Sequence, residues 1–268
     1  VHLRSNLKEL KRMILTRPGS KSQIADDIHK YFPAHNSYIE LFFGAGGMFF
    51  NKPQVKYNIC NDIDNEVYNL WSVMQTDSDK LKEEIEQLPM HNTLWNDYKK
   101  KEVESPILKA ALFLMYSNFG YMGKPNTLHF PVVSNNKKCL LQKFDLTLSK
   151  MQDVLFMCED FRNVLKRCFW RSDGEIEGTF IYADPPYFET AQYSNKFTEQ
   201  DTIDLFEMLV NSKMKFAISE FDNEKILEMA NDYKLNVITI GERQNMKNRR
   251  TEILVTNYKK PLSLFDGV

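Results

Sequence analysis

The stretch Ser37–Phe50, SYIELFFGAGGMFF, decides the fold. It begins as a short apolar run of the kind that forms a buried strand, and the run breaks into the glycine turn Gly44–Gly47. Glycine lets the backbone pass close to a ligand, and the N–H groups at the start of a following helix can face that ligand. A strand, a glycine turn and a helix in this order predict the first unit of a doubly wound α/β sheet.

A second strand and an acidic residue follow the glycine turn. The run Tyr57–Cys60 predicts a strand, and Asp62 lies at its end, 16 residues beyond Gly46. A carboxylate there can accept hydrogen bonds from both hydroxyls of a ribose. The dinucleotide fingerprint G-x-G-x-x-G is not met, because Phe49 occupies the third glycine position, and no P-loop lysine follows. S-adenosylmethionine, a nucleoside without a pyrophosphate, fits better; a tight turn with a surface acid is the alternative.

The rest of the chain predicts an α/β core that is interrupted once. Charged helical stretches and a polar segment over residues 77–150 predict an inserted, mainly helical domain. The α/β pattern resumes with a buried strand at Thr179–Ala183. It closes with a pair of strands at Val237–Ile240 and Glu252–Tyr258.

Composition limits the classes of function. The 268 residues carry 35 Lys and Arg against 36 Asp and Glu, which excludes a histone-like protein but not a local basic cleft. The four cysteines lack zinc-site spacing, so no metal is expected. The apolar stretches fall short of the roughly 20 residues that a membrane span needs. We expect a soluble, cytoplasmic protein.

The turn Asp184-Pro185-Pro186-Tyr187 carries the most specific signal. Two prolines cannot continue a β-ladder, so the Thr179–Ala183 strand must end at this turn. The carboxylate of Asp184 and the carbonyl of Pro185 are held as a rigid pair of acceptors for the exocyclic amine of a base. The Tyr187 ring can stack on that base. A plain strand-ending turn is the alternative, which the flanking acid and aromatic disfavour.

These motifs resemble those of the Dam-like, D12 class of N6-adenine DNA methyltransferases, and the resemblance covers nearly the whole chain. The turn Asp184–Tyr187 matches that family's D-P-P-Y in full, and residues 40–46 resemble its E-P-F-x-G-x-G. Residues 250–258 resemble its closing R-x-E-x-L-x-x-N-Y. Residues 17–21 resemble its N-terminal motif, although Arg17 replaces an aromatic.

The resemblance implies a Rossmann-like sheet of the class I S-adenosylmethionine-dependent methyltransferases. It assigns residues 1–76 and 151–268 to the catalytic domain and residues 77–150 to an inserted target-recognition domain. Asp160 is expected to accept a hydrogen bond from the cofactor's adenine amino group, and Phe161 to present its backbone N–H. The residues expected to bind the cofactor are Lys21, Glu40, Phe42, Gly44, Gly46, Asp62, Asp160 and Phe161.

The implied reaction is direct methyl transfer from S-adenosylmethionine to N6 of an adenine that is flipped out of the duplex. The attacking atom is the amine itself, so no covalent enzyme intermediate is expected. The expected catalytic residues are Asp184, Pro185, Pro186 and Tyr187. Because only the Tyr187 ring is expected to act, through stacking, Tyr187→Phe is expected to be tolerated.

Two polar segments are predicted to contact the expected partner, double-stranded DNA. Residues 113–123 resemble the family's lead into a target-recognition hairpin, and residues 243–250 form a basic loop. The predicted contacts are Asn118, Tyr121, Met122, Lys124 and Asn126 in the first segment and Arg243, Asn245, Lys247, Arg249 and Arg250 in the second. The tail Leu262–Phe265 resembles a sliding-clamp-binding peptide; docking of the tail on its own domain is the alternative.

Three other functions remain open on the residues alone. An RNA adenine methyltransferase uses a similar turn, although the helical insertion favours DNA. An N4-cytosine methyltransferase normally carries serine where this chain has Asp184. A catalytically inactive nucleic-acid-binding subunit is disfavoured, because Asp184 and Tyr187 are intact.

Overall fold

The computed structural model describes residues 14–17, 19–120, 136–168, 172–187, 197–244 and 249–259. In these ranges the elements are α1 (Ala25–His29), β1 (Ser37–Glu40), a 3-10 turn (Phe49–Asn51), β2 (Tyr57–Asn61), α2 (Asn65–Thr76), α3 (Ser78–Gln87), α4 (Asn92–Tyr98), α5 (Pro106–Phe119), α6 (Asn136–Met151), β3 (Val154–Met157), α7 (Phe161–Cys168), α8 (Asp173–Glu177), β4 (Thr179–Ala183), α9 (Glu199–Asn211), β5 (Lys215–Phe221), α10 (Glu224–Asp232), β6 (Asn236–Gln244) and β7 (Arg249–Thr256).

The strands of the described residues form a seven-stranded mixed sheet in the order β3-β2-β1-β4-β5-β7-β6. β1 is parallel to β2 and β4, and β4 is parallel to β5, whereas β7 is antiparallel to β5 and β6. The strand order reverses between β1 and β4, and ligands of such sheets bind at the carboxyl ends of the strands beside that switch point. The predicted doubly wound α/β sheet is confirmed.

The chain divides into two compact units. The first comprises residues up to Gln23, Gly44–Lys52 and Asp64–Cys158, and the second comprises Ile24–Phe43, Pro53–Ile63 and the residues from Glu159 onward. The first unit contains α2 to α6 and β3, and the second contains the other six strands. The division of residues 1–76, 77–150 and 151–268 into catalytic and target-recognition domains stays a prediction.

The second unit buries the middle of its sheet on both faces. Every residue of β1 and of β4 is buried, as is usual for central parallel strands that are covered on two sides. The ring of Phe32, which follows α1, lies 4.5 Å from that of Phe180 and 5.5 Å from that of Tyr182. This aromatic packing fixes the body of β4, and therefore the point at which the strand ends.

The first unit is mainly helical in its described part, and α5 has more buried residues than its other described helices. Ser105 caps the helix by accepting a hydrogen bond from the Leu108 N–H, and Pro106 occupies the first turn, where a missing N–H costs nothing. Buried residues occur all round the helix rather than on one stripe, which is the pattern of a core helix.

No helix in the described parts of the chain is long and apolar enough to cross a membrane.

Three local features differ from the sequence-based expectation. The glycine turn leads into a single 3-10 turn at Phe49–Asn51 rather than into an α-helix, since both phenylalanine rings turn inward and are buried. Helix α6 begins at Asn136, inside the polar segment of the insertion at residues 77–150. Leu140, Phe144 and Met151 repeat at helical spacing and are buried, which stabilises a helix there.

The third difference concerns the predicted loop at residues 243–250. Arg243 pairs with Arg250 and Gln244 pairs with Arg249, so these residues extend β6 and β7 instead of forming a loop. Cross-strand pairing stabilises such strand ends although their residues are polar. The loop prediction is therefore wrong for Arg243, Arg249 and Arg250.

Candidate active site

The ends of β1 and β4 lie side by side in the second unit. Glu40, the last residue of β1, is in register with Tyr182 of β4. The N–H of Leu41 extends the ladder by donating to the Tyr182 carbonyl at 3.1 Å. The segment Leu41–Phe43 after β1 and the turn Asp184–Tyr187 after β4 therefore leave the sheet at the same edge.

The end of β1 carries a buried acid. Glu40 is 2% exposed and accepts a hydrogen bond of 2.8 Å from the hydroxyl of Tyr38, which lies on the same face of the strand. Burial, and then the negative charge of Glu40, raises the pKa of Tyr38 well above its usual range, so this hydroxyl remains a donor. Asp62, just beyond β2, is only half-buried and remains within reach of solvent.

Asn61 joins the ends of β1 and β2 to the segment that precedes α7. Its side-chain amide donates to the carbonyls of Leu41 at 3.1 Å and Glu159 at 2.9 Å, and its oxygen accepts from the Glu159 N–H at 3.0 Å. Its own carbonyl accepts from the Phe43 N–H at 2.8 Å. Sequence reasoning did not select Asn61 as a site residue. A buried asparagine at a strand end, which carries both donors and an acceptor, was the available signal.

Three phenylalanines cluster beside this edge. The Phe42 ring lies 5.7 Å from the rings of Phe161 and Phe197, and the last two are 6.1 Å apart. Phe42 and Phe161 were both predicted to bind the cofactor, and the structure brings them together. Phe197 was not predicted, because it precedes α9, about 150 residues further along the chain than Phe42. The cluster offers an apolar wall of the kind that lines nucleoside pockets.

Asp160 caps α7 and is held by an arginine that the sequence did not single out. One carboxylate oxygen accepts from the Arg162 N–H at 2.8 Å, and the other lies 3.1 Å from the Arg162 guanidinium. The same guanidinium donates to Asp204 at 2.7 Å and to Asp201 at 2.6 Å. A role for Asp160 in binding an adenine amino group stays a prediction; the carboxylate would have to accept from that group in addition to Arg162.

Tyr187 of the Asp-Pro-Pro-Tyr turn is held at two points. Its hydroxyl donates to Glu252 Oε1 at 2.7 Å, and its ring meets the Phe221 ring at 4.4 Å with the planes 73° apart. Burial, and then the negative charge of Asp184, raises the pKa of Tyr187 well above its usual range. Asp184 is half-buried and Pro185 is buried. The hydroxyl has a structural partner, so the expectation that Tyr187→Phe is tolerated must be revised.

Three of the predicted cofactor residues belong to the first unit. Lys21 is 2% exposed, and Gly44 and Gly46 adopt φ angles of 51° and 69°, which only glycine adopts readily. Gly47 was not selected, yet a Cβ there would lie 3.0 Å from the Ser20 hydroxyl oxygen. Glycine at position 47 therefore allows the close approach of the segment that carries Lys21.

Arg17, which departs from the family motif, has a clear structural role. Its guanidinium donates to Asp64 Oδ2 at 2.9 Å and lies 5.9 Å from the centre of the Phe113 ring. Asp64 also caps α2 by accepting a hydrogen bond from the Glu66 N–H. Arg17 thus anchors the N-terminal motif to the start of α2 by an ion pair and to α5 by a cation–π contact.

Among the predicted DNA contacts, Asn118 is engaged inside the protein. Its amide donates to the carbonyls of Ile14 at 2.8 Å and Leu114 at 2.9 Å, and its oxygen accepts from the Thr16 hydroxyl at 3.3 Å. The guanidinium of Arg250 lies 5.6 Å from the centre of the Phe221 ring. Tyr121, Met122, Lys124, Asn126, Asn245, Lys247 and the tail Leu262–Phe265 lie outside the described residues.

Within the described ranges, no group of three or more His, Cys, Asp or Glu side chains is placed to hold a metal ion. The carboxylates around the site are instead bound to tyrosine hydroxyls, to Arg162 or to backbone N–H groups, as Glu40, Glu252 and Asp160 show.

The doubly wound sheet, with a glycine turn after β1 and Asp-Pro-Pro-Tyr after β4, is the architecture expected from the sequence resemblance to class I methyltransferases. Residues 18–246 match the family model "D12 class N6 adenine-specific DNA methyltransferase". The chain belongs to this family.

Curated relatives agree with this assignment. The DNA adenine methylase of Escherichia coli (strain K12) is 26% identical over 252 residues, which cover 85% of this chain and 87% of that protein. The DNA adenine methylase of Vibrio cholerae serotype O1 (strain ATCC 39315 / El Tor Inaba N16961) is 24% identical over 270 residues, 91% of this chain and 95% of that protein. The prediction of an adenine-specific DNA methyltransferase is confirmed by the family match and agrees with these relatives.

Solved structures resemble the chain at low identity. The rRNA methyltransferase aviRa from Streptomyces viridochromogenes is 10% identical with a TM-score of 0.41, and the match covers 93% of this chain and 92% of that one. An rRNA methylase from Streptococcus thermophilus is 9% identical with a TM-score of 0.36, and the match covers 88% of this chain and 94% of that one. At such scores the likeness supports no further conclusion.

Proposed function

We propose that the enzyme methylates N6 of an adenine flipped out of duplex DNA, with S-adenosylmethionine as the methyl donor, at the edge where β1 and β4 end. The observation that carries the proposal is the hydrogen bond from the Leu41 N–H to the Tyr182 carbonyl. It sets the segment Leu41–Phe43 beside the Asp184–Tyr187 turn. Bound there, S-adenosylmethionine supplies a methyl group that its sulfonium makes electrophilic.

The residues at this edge fit the nucleoside part of the cofactor. The wall formed by Phe42, Phe161 and Phe197 provides an apolar surface for a purine ring. The N–H of Phe161 opens α7, so no carbonyl within the helix accepts from it. Asp62 presents a half-buried carboxylate suited to ribose hydroxyls.

We propose that all the residues that the sequence predicts to bind the cofactor do so. In the second unit these residues are Glu40, Phe42, Asp62, Asp160 and Phe161, and in the first unit they are Lys21, Gly44 and Gly46. Glu40 is the least accessible of the acids, because it is buried and already accepts from Tyr38. We assign it to fixing the end of β1 as well as to the cofactor.

The Asp184–Tyr187 turn would hold the target adenine. The Asp184 carboxylate and the Pro185 carbonyl would accept hydrogen bonds from the two N6–H groups, which leaves the nitrogen lone pair free to attack. As the bond from N6 to the methyl carbon forms, the bond from that carbon to sulfur would break, S-adenosylhomocysteine would leave, and the Asp184 carboxylate could take the proton that N6 releases. The Tyr187 ring stacks on the base, which has left the duplex at a cost of a few kcal/mol. Such a site acts by alignment and electrostatics, since the amine is itself the nucleophile.

Target selection and DNA binding are assigned to other segments. We propose that residues 77–150 read the target sequence and that the basic strand ends at Arg243 and Arg250 contact DNA phosphates. DNA contacts are also proposed for Asn118, Tyr121, Met122, Lys124, Asn126, Asn245, Lys247 and Arg249, and a clamp contact for Leu262–Phe265. Because DNA is the substrate, we place the enzyme in the cytoplasm of a bacterium or of a phage-infected cell.

Asp184→Ala tests the assignment of the catalytic turn. The variant should lose methylation of unmethylated bacterial DNA, because N6 loses its acceptor, and it should still bind S-adenosylmethionine. Radiolabel transfer followed by nucleoside analysis measures the first, and calorimetric titration measures the second. Asp173→Ala, an exposed acid in α8, serves as the matched control and should keep full activity. Substantial turnover by Asp184→Ala would contradict the proposed mechanism.

A further inference from the structure

The second unit contains a cluster of three contacting side chains, those of Tyr187, Glu252 and Phe221. Glu252 of β7 and Phe221 of β5 are direct partners across an antiparallel pair, so their side chains lie on the same face of the sheet. The Tyr187 hydroxyl donates to Glu252 Oε1 at 2.7 Å, and the Tyr187 ring meets Phe221 edge-on at 4.4 Å. The paired strands β5 and β7 therefore contact both the hydroxyl and the ring of Tyr187.

The backbone of the turn does not by itself set the orientation of this ring. Pro185 and Pro186 restrict the chain that leads to Tyr187, but the torsions of the tyrosine side chain stay free to rotate. A hydrogen bond at the hydroxyl fixes the far end of the ring, and an edge contact at the side fixes its plane. Glu252 is 1% exposed, so bulk water does not compete for this carboxylate.

The Tyr187 hydroxyl stays protonated, so it can donate its hydrogen bond to Glu252 continuously. Burial, followed by the charges of Asp184 and Glu252, raises the pKa of Tyr187 well above its usual range. The hydroxyl therefore keeps its proton throughout the pH range in which an ordinary tyrosine is protonated. It remains a donor, and Glu252 can accept from it throughout.

We propose that Glu252 is a positioning residue for methyl transfer, which sets the plane of the Tyr187 ring on which the target adenine stacks. The inference rests on the proposed function of Tyr187 and extends it to a residue that touches neither the base nor the cofactor. It assigns a role to the glutamate of the R-x-E-x-L-x-x-N-Y segment. A ring in the wrong plane would still admit the base but would misalign N6.

Four variants separate positioning from general stability. Tyr187→Phe and Glu252→Ala remove the hydrogen bond from either side, and Glu252→Gln keeps an acceptor oxygen in the same place. Tyr182→Phe is the matched control. It deletes another buried tyrosine hydroxyl whose bond, to Ser219, is also 2.7 Å long but lies outside the catalytic turn.

The expected result is a split between kcat and KM. Tyr187→Phe and Glu252→Ala should each lower kcat about tenfold or more while KM for S-adenosylmethionine stays within about twofold. The double variant Tyr187→Phe/Glu252→Ala should be no slower than the worse single variant, because both changes remove the same bond. Glu252→Gln should restore most of kcat, and Tyr182→Phe should keep it.

Three outcomes would overturn the inference: unchanged kcat in Tyr187→Phe, multiplied losses in the double variant, or an equal kcat loss in Tyr182→Phe. If Glu252→Ala does not fold, Tyr187→Phe and Glu252→Gln decide the question. Activity of the wild-type enzyme and of Asp184→Ala is measured in the same assay. Turnover by Asp184→Ala refutes the proposed function itself, whereas its loss together with an unchanged Tyr187→Phe refutes only the role of Glu252.

Discussion

The side chain of Asn61 makes three hydrogen bonds to backbone groups. Its amide nitrogen donates to the carbonyls of Leu41 and Glu159, and its oxygen accepts from the Glu159 N–H. No other uncharged side chain of this size offers both donors and an acceptor. Asn61 is 1% exposed, so water cannot replace these partners. At the scale of a single residue, the edge that carries the proposed cofactor site depends on one amide.

Asn61→Asp should be strongly destabilising. The substitution is nearly isosteric, but it removes both donors and points a carboxylate at two carbonyl oxygens. We expect the free energy of unfolding to fall by roughly 2–4 kcal/mol, and binding of S-adenosylmethionine to weaken. Urea denaturation and calorimetric titration measure these two effects. Asn58→Asp is the comparison on the same strand, since the Asn58 amide donates to the Val55 carbonyl; the idea fails if Asn61→Asp is the milder of the two.

At the scale of elements, Arg162 joins the starts of two helices. The cap of α7 is Asp160, and the first two turns of α9 carry Asp201 and Asp204, all of which bind the Arg162 guanidinium. Asp201 also completes a capping box with Thr198 at the start of α9. The acids lie where each helix dipole favours negative charge, and the arginine removes their mutual repulsion.

Arg162→Met should loosen this junction. Methionine keeps much of the apolar stem but leaves three carboxylates without their shared cation. We expect a loss of about 1–3 kcal/mol in the free energy of unfolding, smaller in high salt because ions screen the remaining acids. The matched control is Arg167→Met on the same helix, an exposed residue that pairs with Glu159, for which about 0.5 kcal/mol or less is expected. Equal losses in urea denaturation would contradict the clustered role of Arg162.

At the scale of the molecule, the second unit holds tyrosines that are buried or half-buried. Burial raises the pKa of Tyr38, Tyr182, Tyr187 and Tyr258 above the usual value. For the first three, a neighbouring carboxylate adds to the effect, because a tyrosinate beside it would place two negative charges together. These hydroxyls keep their protons in the folded protein.

Stability should therefore fall in alkali. Below about pH 10 neither state ionises these tyrosines, so their contribution is fully present. Above that value the unfolded chain releases the protons and the folded chain does not, so stability drops by about 1.4 kcal/mol per pH unit for each tyrosine. Denaturant midpoints between about pH 8 and about pH 11 measure this, with tyrosinate absorbance following the ionisation. Tyr182→Phe should flatten the decline; a constant midpoint across the range would refute the prediction.

Local chemistry explains which elements could be predicted. β1 and β4 are unbroken buried runs, and glycine follows β1 and proline follows β4 within four residues, so the signals lie close together in the chain. The sequence predicts a loop at Arg243 and Arg250, whereas the structure has strand ends there. The two residues become strand residues only because they pair with each other. Helix α6 was missed at its polar start, where burial of Leu140 and Phe144 depends on helices elsewhere in the first unit.

The sequence by itself determined the class of sheet, the Asp184–Tyr187 turn, the acid at Asp62 and the methyltransferase family, because each depends on residues adjacent in the chain. Only the tertiary structure decided how these groups are held. Asn61 meets Glu159 across 98 residues, Arg162 meets Asp204 across 42, and Tyr187 meets Glu252 across 65. The physical reason is that a hydrogen bond needs an orientation as well as a partner. The orientation exists only once the sheet has set the ends of its strands side by side.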